Sequence, residues 1–338
     1  MAVISPKQRS PVGRLGSLDA VRGMTVCLMI FVDNVGDWLP SVDHSPWDDI
    51  TLADFVMPFF LFMVGCSMSL SFMVAVPGWD ERNGTRMAHR AEWVELACPG
   101  GVMPAWWARP PLGQTPRAAV LVLPEVFGVN DWVRSVADRL AEQGYAALAI
   151  STFWRTAPDL QAGYDEAGLA LGREHRDQVR ADQLLDDVRT AAAWLQQAHA
   201  ADGLADKPLG CVGFCFGGHL AMLAATLPVI AASCDFYGAR VSTDRPGGGA
   251  EGGAPTLAVV PQIPGRLWCF CGDQDPLMPP EERNAIEQAL AAVPGDRHRF
   301  LLAPGAGHGY MCEARADFNA EASTAGWAAM LQLFGEAL

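Results

Sequence analysis

The chain is poor in positive charge: 24 Lys and Arg stand against 38 Asp and Glu over 338 residues, a net charge of −14. A general nucleic-acid binder needs a basic face for phosphates, so the balance argues against that class, while an anionic small molecule held by a few placed arginines stays open. The nine cysteines form no C-x-x-C pair, and their odd number in a chain of this size points to free thiols in a reducing compartment. Cys269 and Cys271 share one face of a predicted strand, but no His or Cys pair accompanies them, so they read as core thiols and no metal is implied. The Gly-rich stretch "DRPGGGAEGGAP" (244–255) lacks the helix that a phosphate loop must open and reads as a surface loop. No internal repeat is visible.

Charge of either sign is missing from Phe55 to Trp79, "FVMPFFLFMVGCSMSLSFMVAVPGW", a run of 25 residues. At 1.5 Å per residue such a run spans a hydrocarbon core of about 30 Å. Upstream, "GMTVCLMIFV" (23–32) is apolar for a shorter distance. Basic residues lie before the first segment (Lys7, Arg9, Arg14, Arg22) and after the second (Arg82, Arg86, Arg90), with acidic residues between them. By the distribution of Lys and Arg this is a two-span hairpin, or a single span if the first segment does not cross, with the large C-terminal part on the cytoplasmic side of a membrane. The chain divides into an N-terminal membrane segment (1–76), a linker (77–91) and a C-terminal domain (92–338).

The stretches "RLGSLDAVRGMTV" and "DHSPWDDITLADFVMPFFLFMVG" resemble the N-terminal end of the heparan-alpha-glucosaminide N-acetyltransferase family of multi-span membrane enzymes, over about residues 14–72. The resemblance implies an acetyl-transfer role for the histidine of "HSPW", His44. The further spans of such an enzyme have no room before the chain changes character near Ala91, so His44 is read as a relic and the segment as a fused membrane anchor.

From Glu92 onward, short apolar β-rich runs alternate with stretches of helical period, the signature of a mostly parallel sheet with helices on both faces. "WVELAC" and "MPAWWARP" read as an opening hairpin. "AAVLVLP", "YAALAI", "LGCVGF", "AASCDFYG", "RLWCFCG" and "RFLLAPG" read as further strands. "WVRSVADRLAEQG" and "RADQLLDDVRTAAAWLQQAHA" carry apolar residues at three- and four-residue spacing and are predicted helices, the first ended by Gly144.

Within "VGFCFGGHLAM", Cys215 stands between Gly213 and Gly217 where a strand gives way to a helix. That is the context of a nucleophile elbow with cysteine in place of serine, and a helix N-terminus favours a thiolate there. In this architecture the acid follows a later strand and the histidine follows the last. "RLWCFCGDQDPLMP" offers Asp273 and Asp275, and "RFLLAPGAGHGY" offers His308; the other histidines precede the domain, sit in polar segments (His175, His199, His298) or lie on the helix after the elbow (His219). The elbow "GFCFGG", "GDQDPLMP", "GAGHGY" and the earlier "LPEVFGVN" together resemble the dienelactone hydrolase (carboxymethylenebutenolidase) family, over everything from about residue 92 to the end.

The resemblance implies an α/β-hydrolase fold, preceded here by one or two transmembrane-type helices, and a Cys-His-Asp triad on Cys215, His308 and Asp275. It also implies that Glu125 helps generate the thiolate, although on the residues alone Glu125 is equally a helix cap or a partner for an arginine. Backbone N–H groups of Val126 and Phe216 are the expected oxyanion donors. The reaction expected is hydrolysis of a small-molecule ester or lactone through an acyl-cysteine, with no metal or organic cofactor. The family holds a substrate carboxylate with arginines, one of them four residues after the triad histidine, and that position is Cys312 here. Arg155, Arg173 and Arg176 are the candidates for substrate binding, with a solvated helix face as the plainer reading of "GREHRDQVRAD". Two other readings compete: a membrane acetyltransferase-related protein in which the hydrolase domain is accessory, and a non-catalytic hydrolase-like binding module.

Overall fold

A computed structural model of the chain describes residues 79–80, 85–86, 89–198, 200, 205, 207–247 and 253–338. The two apolar segments expected to enter a membrane, and His44, lie outside the described residues, as does the centre of the Gly-rich loop. Among the described residues no helix is long and apolar enough to cross a membrane.

Eight strands form one sheet. Strand β1 (Arg90–Cys98) pairs antiparallel with β2 (Gly101–Arg109) in the hairpin expected from the sequence. β3 (Ala119–Leu123) is followed by helix α1 (Asp131–Glu142) and β4 (Ala146–Ile150). Two helices, α2 (Glu166–Arg176) and α3 (Ala181–Ala198), lead to β5 (Leu209–Phe214) and α4 (Phe216–Ala224). The chain continues through β6 (Ile230–Phe236), β7 (Arg266–Gly272), α5 (Pro280–Ala291), β8 (His298–Ala303) and α6 (Ala320–Ala337). The order across the sheet is β8-β7-β6-β5-β3-β4-β2-β1, parallel from β8 to β4 and antiparallel at β4–β2 and β2–β1.

Every residue of β3, β4 and β5 is buried, as strands covered on both faces must be, which is why their sequences are apolar throughout and do not alternate. Helix α1 is set by its ends and its face. Asn130 caps it, accepting from the Val133 N–H at 3.1 Å, and Gly144 beyond its last turn takes φ +89°. Its buried side chains, Trp132, Val133, Val136, Ala137, Leu140 and Ala141, fall on one stripe of 3.6-residue period packed against the sheet. His298 lies in a polar segment of the sequence, yet its side chain is buried at the start of β8, where Nδ1 accepts from the Leu267 N–H and burial lowers its pKa to about 4.

The chain steps from β3 outward to β4 and then returns to β5 on the other side, so the topological switch lies between β3 and β5. Leu123 is paired with Gly213 across that boundary. Glu125 and Cys215, each two residues further on, are therefore delivered side by side beyond the carboxyl ends of the strands. Cys215 sits at φ 53°, ψ −116°, a conformation that L-residues avoid. It is held by its own N–H to the Phe236 carbonyl at 2.9 Å and by the His219 N–H to its carbonyl at 3.1 Å. The flanking glycines make the turn possible: a Cβ on Gly213 would lie 1.8 Å from the Gly217 carbonyl oxygen, and one on Gly217 would lie 2.1 Å from that of Leu123. Both clashes are with backbone, which cannot swing aside. Gly217→Ala is accordingly expected to lower stability by about 3 kcal/mol or more in urea unfolding, well beyond the usual cost of a surface substitution; an unchanged midpoint would show that the β3–β5 boundary is not tightly packed.

Candidate active site

Three loops at the carboxyl ends of the strands bring Cys215, His308 and Asp275 together, although they are distant in sequence. His308 Nε2 lies 3.1 Å from Cys215 Sγ, and His308 Nδ1 lies 2.8 Å from Asp275 Oδ2. The second oxygen of Asp275 accepts from the Leu277 N–H at 2.8 Å, so both its acceptors are used and its orientation is fixed. Asp273, the other acid of this loop, accepts instead from the Gly305 N–H at 2.7 Å and braces the turn after β8. His308 and Asp275 are buried, while Cys215 is partly exposed. Burial alone would favour neutral imidazole. The negative charge at Cys215 and the hydrogen bonds to Asp275 and Cys215 outweigh it and push His308 up to about 10. The edge of the Tyr237 ring packs on the imidazole with centroids 5.3 Å apart.

Glu125 is completely buried at the end of β3, and its Oε1 accepts from Arg315 Nη1 at 2.9 Å. Burial raises the pKa of its carboxyl, and the positive charges of Arg315 and His308 only partly oppose the shift. Between capping a helix and pairing with an arginine, the structure selects the pairing. Arg315, seven residues after His308, had not been singled out from the sequence. Its guanidinium lies 5.9 Å from the ring centroids of both Phe127 and Tyr164. The only signal for it was an arginine shortly after "GHGY", offset from the position that the family resemblance assigns. That position, Cys312, is a buried thiol raised to about 11, mainly by burial.

Val126 and Phe216 line the cavity at Cys215, and neither backbone N–H donates to another group among the described residues. Helix α2 lies directly over this loop: a Cβ on Gly172 would stand 2.2 Å from the Val126 carbonyl oxygen, so the two backbones touch. The approach places Arg173 and Arg176 on the cavity wall. Arg155 is a correction. Its guanidinium makes a bidentate ion pair with the buried Asp187, at 2.6 and 2.9 Å, and stacks on Trp154, so it does not line the cavity at Cys215. His219 is near the site but committed, with Nδ1 3.0 Å from the Ala239 carbonyl and Nε2 2.7 Å from Thr256 Oγ1; burial lowers its pKa to about 4. Among the described residues no group of His, Cys, Asp and Glu is arranged to hold a metal ion.

The model of the dienelactone hydrolase family matches residues 103–338. The chain belongs to this family. The resemblance noted for residues 14–72 lies outside the described residues. Among relatives, a Synechocystis protein named "Putative carboxymethylenebutenolidase" is 37% identical over 223 residues, 66% of this chain and 87% of its own. A Bradyrhizobium protein named "Probable 2-oxo-3-(5-oxofuran-2-ylidene)propanoate lactonase" is 29% identical over 70% of this chain and 90% of its own. Among solved structures, that of a "Putative Dienelactone Hydrolase" from Klebsiella pneumoniae subsp. pneumoniae MGH 78578 superimposes with a TM-score of 0.64 at 27% identity, covering 74% of this chain and 99% of the other. The fold is that of an α/β-hydrolase and the protein is a hydrolase.

Removing Arg315 strands the Glu125 carboxylate without a counter-charge. Arg315→Met is expected to cost about 3 kcal/mol in urea unfolding at pH 7, and Glu125→Gln in the same chain to restore part of it. Equal losses in the single and double variants would mean that the pair is not coupled.

Proposed function

We propose that this hydrolase cleaves a small-molecule ester or lactone through an acyl-cysteine on Cys215. The observation that carries the reading is the unbroken hydrogen-bonded chain from Sγ through imidazole to carboxylate, at 3.1 and 2.8 Å. A neutral thiol is a poor nucleophile, and the imidazole beside it serves as the proton acceptor. Burial makes Glu125 a stronger base than a surface carboxylate and suits it to assist in the same proton removal.

Sγ attacks the carbonyl carbon and the oxyanion forms against the N–H groups of Val126 and Phe216, each such donor being worth about 2.7–4 kcal/mol. Protonated His308 then gives its proton to the departing oxygen as the carbon–oxygen bond breaks. His308 next takes a proton from water, which attacks the acyl-cysteine and releases the acid and the thiolate. Asp275 fixes the imidazole tautomer and stabilises its charged form. No step calls for a metal or organic cofactor. The relatives named as a butenolidase and a lactonase support esters and lactones as the substrate class.

With 4-nitrophenyl acetate, Cys215→Ala is expected to lower kcat/KM by about a thousandfold or more. Because His308 is raised to about 10, the alkaline limb of kcat/KM in the wild type falls only as pH approaches that value and the imidazolium loses its proton. Asp275→Asn takes away an interaction that raises it, so the limb moves to lower pH. Turnover indifferent to Cys215→Ala sinks the mechanism.

The uncharged run 55–79, with acidic residues before it and Arg82, Arg86 and Arg90 after it, supports a further proposal, that the hydrolase is tethered to a membrane on its cytoplasmic side. The full-length chain is expected in the membrane pellet after carbonate extraction, and its recovery in the supernatant at full mass refutes the tether.

A further inference from the structure

The loops that follow β7 and β8 carry Asp275 and His308, and they are joined along part of their length. Past Gly272 and Ala303, the last paired residues of the two strands, the backbones stay in contact. The Asp273 N–H donates to the Ala303 carbonyl at 3.1 Å and the Gln274 N–H to the Ala306 carbonyl at 3.0 Å. A Cβ on Gly272 would stand 2.2 Å from the Ala306 carbonyl oxygen, so only glycine fits there. Beyond Ala306 these ties end: neither Gly307 nor His308 makes a backbone–backbone hydrogen bond among the described residues. The imidazole therefore inherits its place from the turn at 303–306.

Asp273 closes that turn. Its Oδ1 accepts from the Gly305 N–H at 2.7 Å, three residues before His308, where Gly305 takes φ +68°. A charged acceptor makes this the stronger kind of hydrogen bond. Asp273 is itself held from the other side: Arg283, in the first turn of α5, donates through Nη1 to the Gly272 and Asp273 carbonyls at 3.1 and 2.6 Å. The Gly305 carbonyl accepts from Nδ2 of Asn319, the residue that caps α6, at 3.3 Å. Asp273 thus links α5 to the turn before His308, while the carboxylate two residues on is spent on His308 and the Leu277 N–H.

We propose that Asp273 is a positioning residue for the hydrolysis: its carboxylate fixes the turn that carries His308, and so sets the reach of Nδ1 to Asp275 and of Nε2 to Cys215. The inference rests on the acyl-cysteine reading and adds to it a second aspartate that works at a distance. Among the described residues Asp273 makes no hydrogen bond to His308, and it does not line the cleft at Cys215. The titratable groups that face the imidazole are Cys215, Asp275, Glu125 and Tyr237. If Gly305 loses its acceptor, water replaces it at little cost, because that N–H is at an exposed position, but the turn is free to drift. Reactive geometry tolerates little drift, since a displacement of about 1 Å can cost about a hundredfold in rate. A longer bond to Asp275 also removes part of what holds the imidazolium, so the effect reaches the pH profile.

The test uses the full chain and 4-nitrophenyl acetate. Asp273→Ala is expected to lower kcat/KM about tenfold and to move its alkaline limb down by about one pH unit, with a thermal midpoint close to that of the wild type. Asp273→Asn keeps an oxygen that accepts from the Gly305 N–H, and is expected to recover most of the rate and the wild-type limb. A merely structural bond would leave the limb in place, since the triad of every folded molecule would be unaltered. A limb unmoved in Asp273→Ala, or an Asp273→Asn variant as impaired as Asp273→Ala, overturns the inference and leaves the acyl-cysteine mechanism standing. Cys215→Ala assayed in parallel keeps the two apart, because turnover that survives it overturns both.

Discussion

The site depends on how closely two neighbouring parallel strands let their following loops approach. At the β3–β5 boundary the backbones leave no room for a Cβ at Gly213 or Gly217, and the space so saved lets the chain fold back on itself and lift Cys215 above the sheet. The same register sets Glu125 and Val126 beside it. Cys215, the buried Glu125 and the Val126 and Phe216 N–H groups thus follow from a single backbone arrangement. His308 and Asp275 come from loops on the other half of the sheet and need only reach inward.

Around that frame the electrostatics is paired in a graded way. Glu125 is fully enclosed and depends on one arginine, and Arg155 with Asp187 forms a second, separate pair that braces α3 beneath the loop after β4. His308 is buried but drawn toward its charged form by the groups on either side of it. Arg240 and Arg173, at the rim, are lightly engaged. Charge near the centre is therefore committed to internal partners, whereas charge at the rim is loosely held.

Most of the strands were legible from their composition, because a fully buried parallel strand admits little besides apolar residues and its loop supplies the punctuation. Cys215, Asp275 and His308 were legible because the elbow, the acid and the histidine each carry a local pattern and follow one another in a fixed order along the chain. Arg315 was not, because its contribution is a contact with a residue 190 positions earlier, and its offset from His308 differs from the spacing in the family. Arg155 misled for the converse reason: its position fits the family although the segment around it does not, but Asp187 on α3 claims it, and a sequence read locally cannot show that competitor. His298 looked solvated amid polar neighbours, yet strand pairing with β7 draws it under cover.

Gly172 has a reach beyond its own helix. Because nothing separates its backbone from the Val126 carbonyl, the loop after β3 and the turn of α2 that carries Arg173 and Arg176 form one mechanical body. A drift of that helix would displace the residue beside Glu125 and both arginines together, so any side chain added at Gly172 is felt on two walls of the cleft at once.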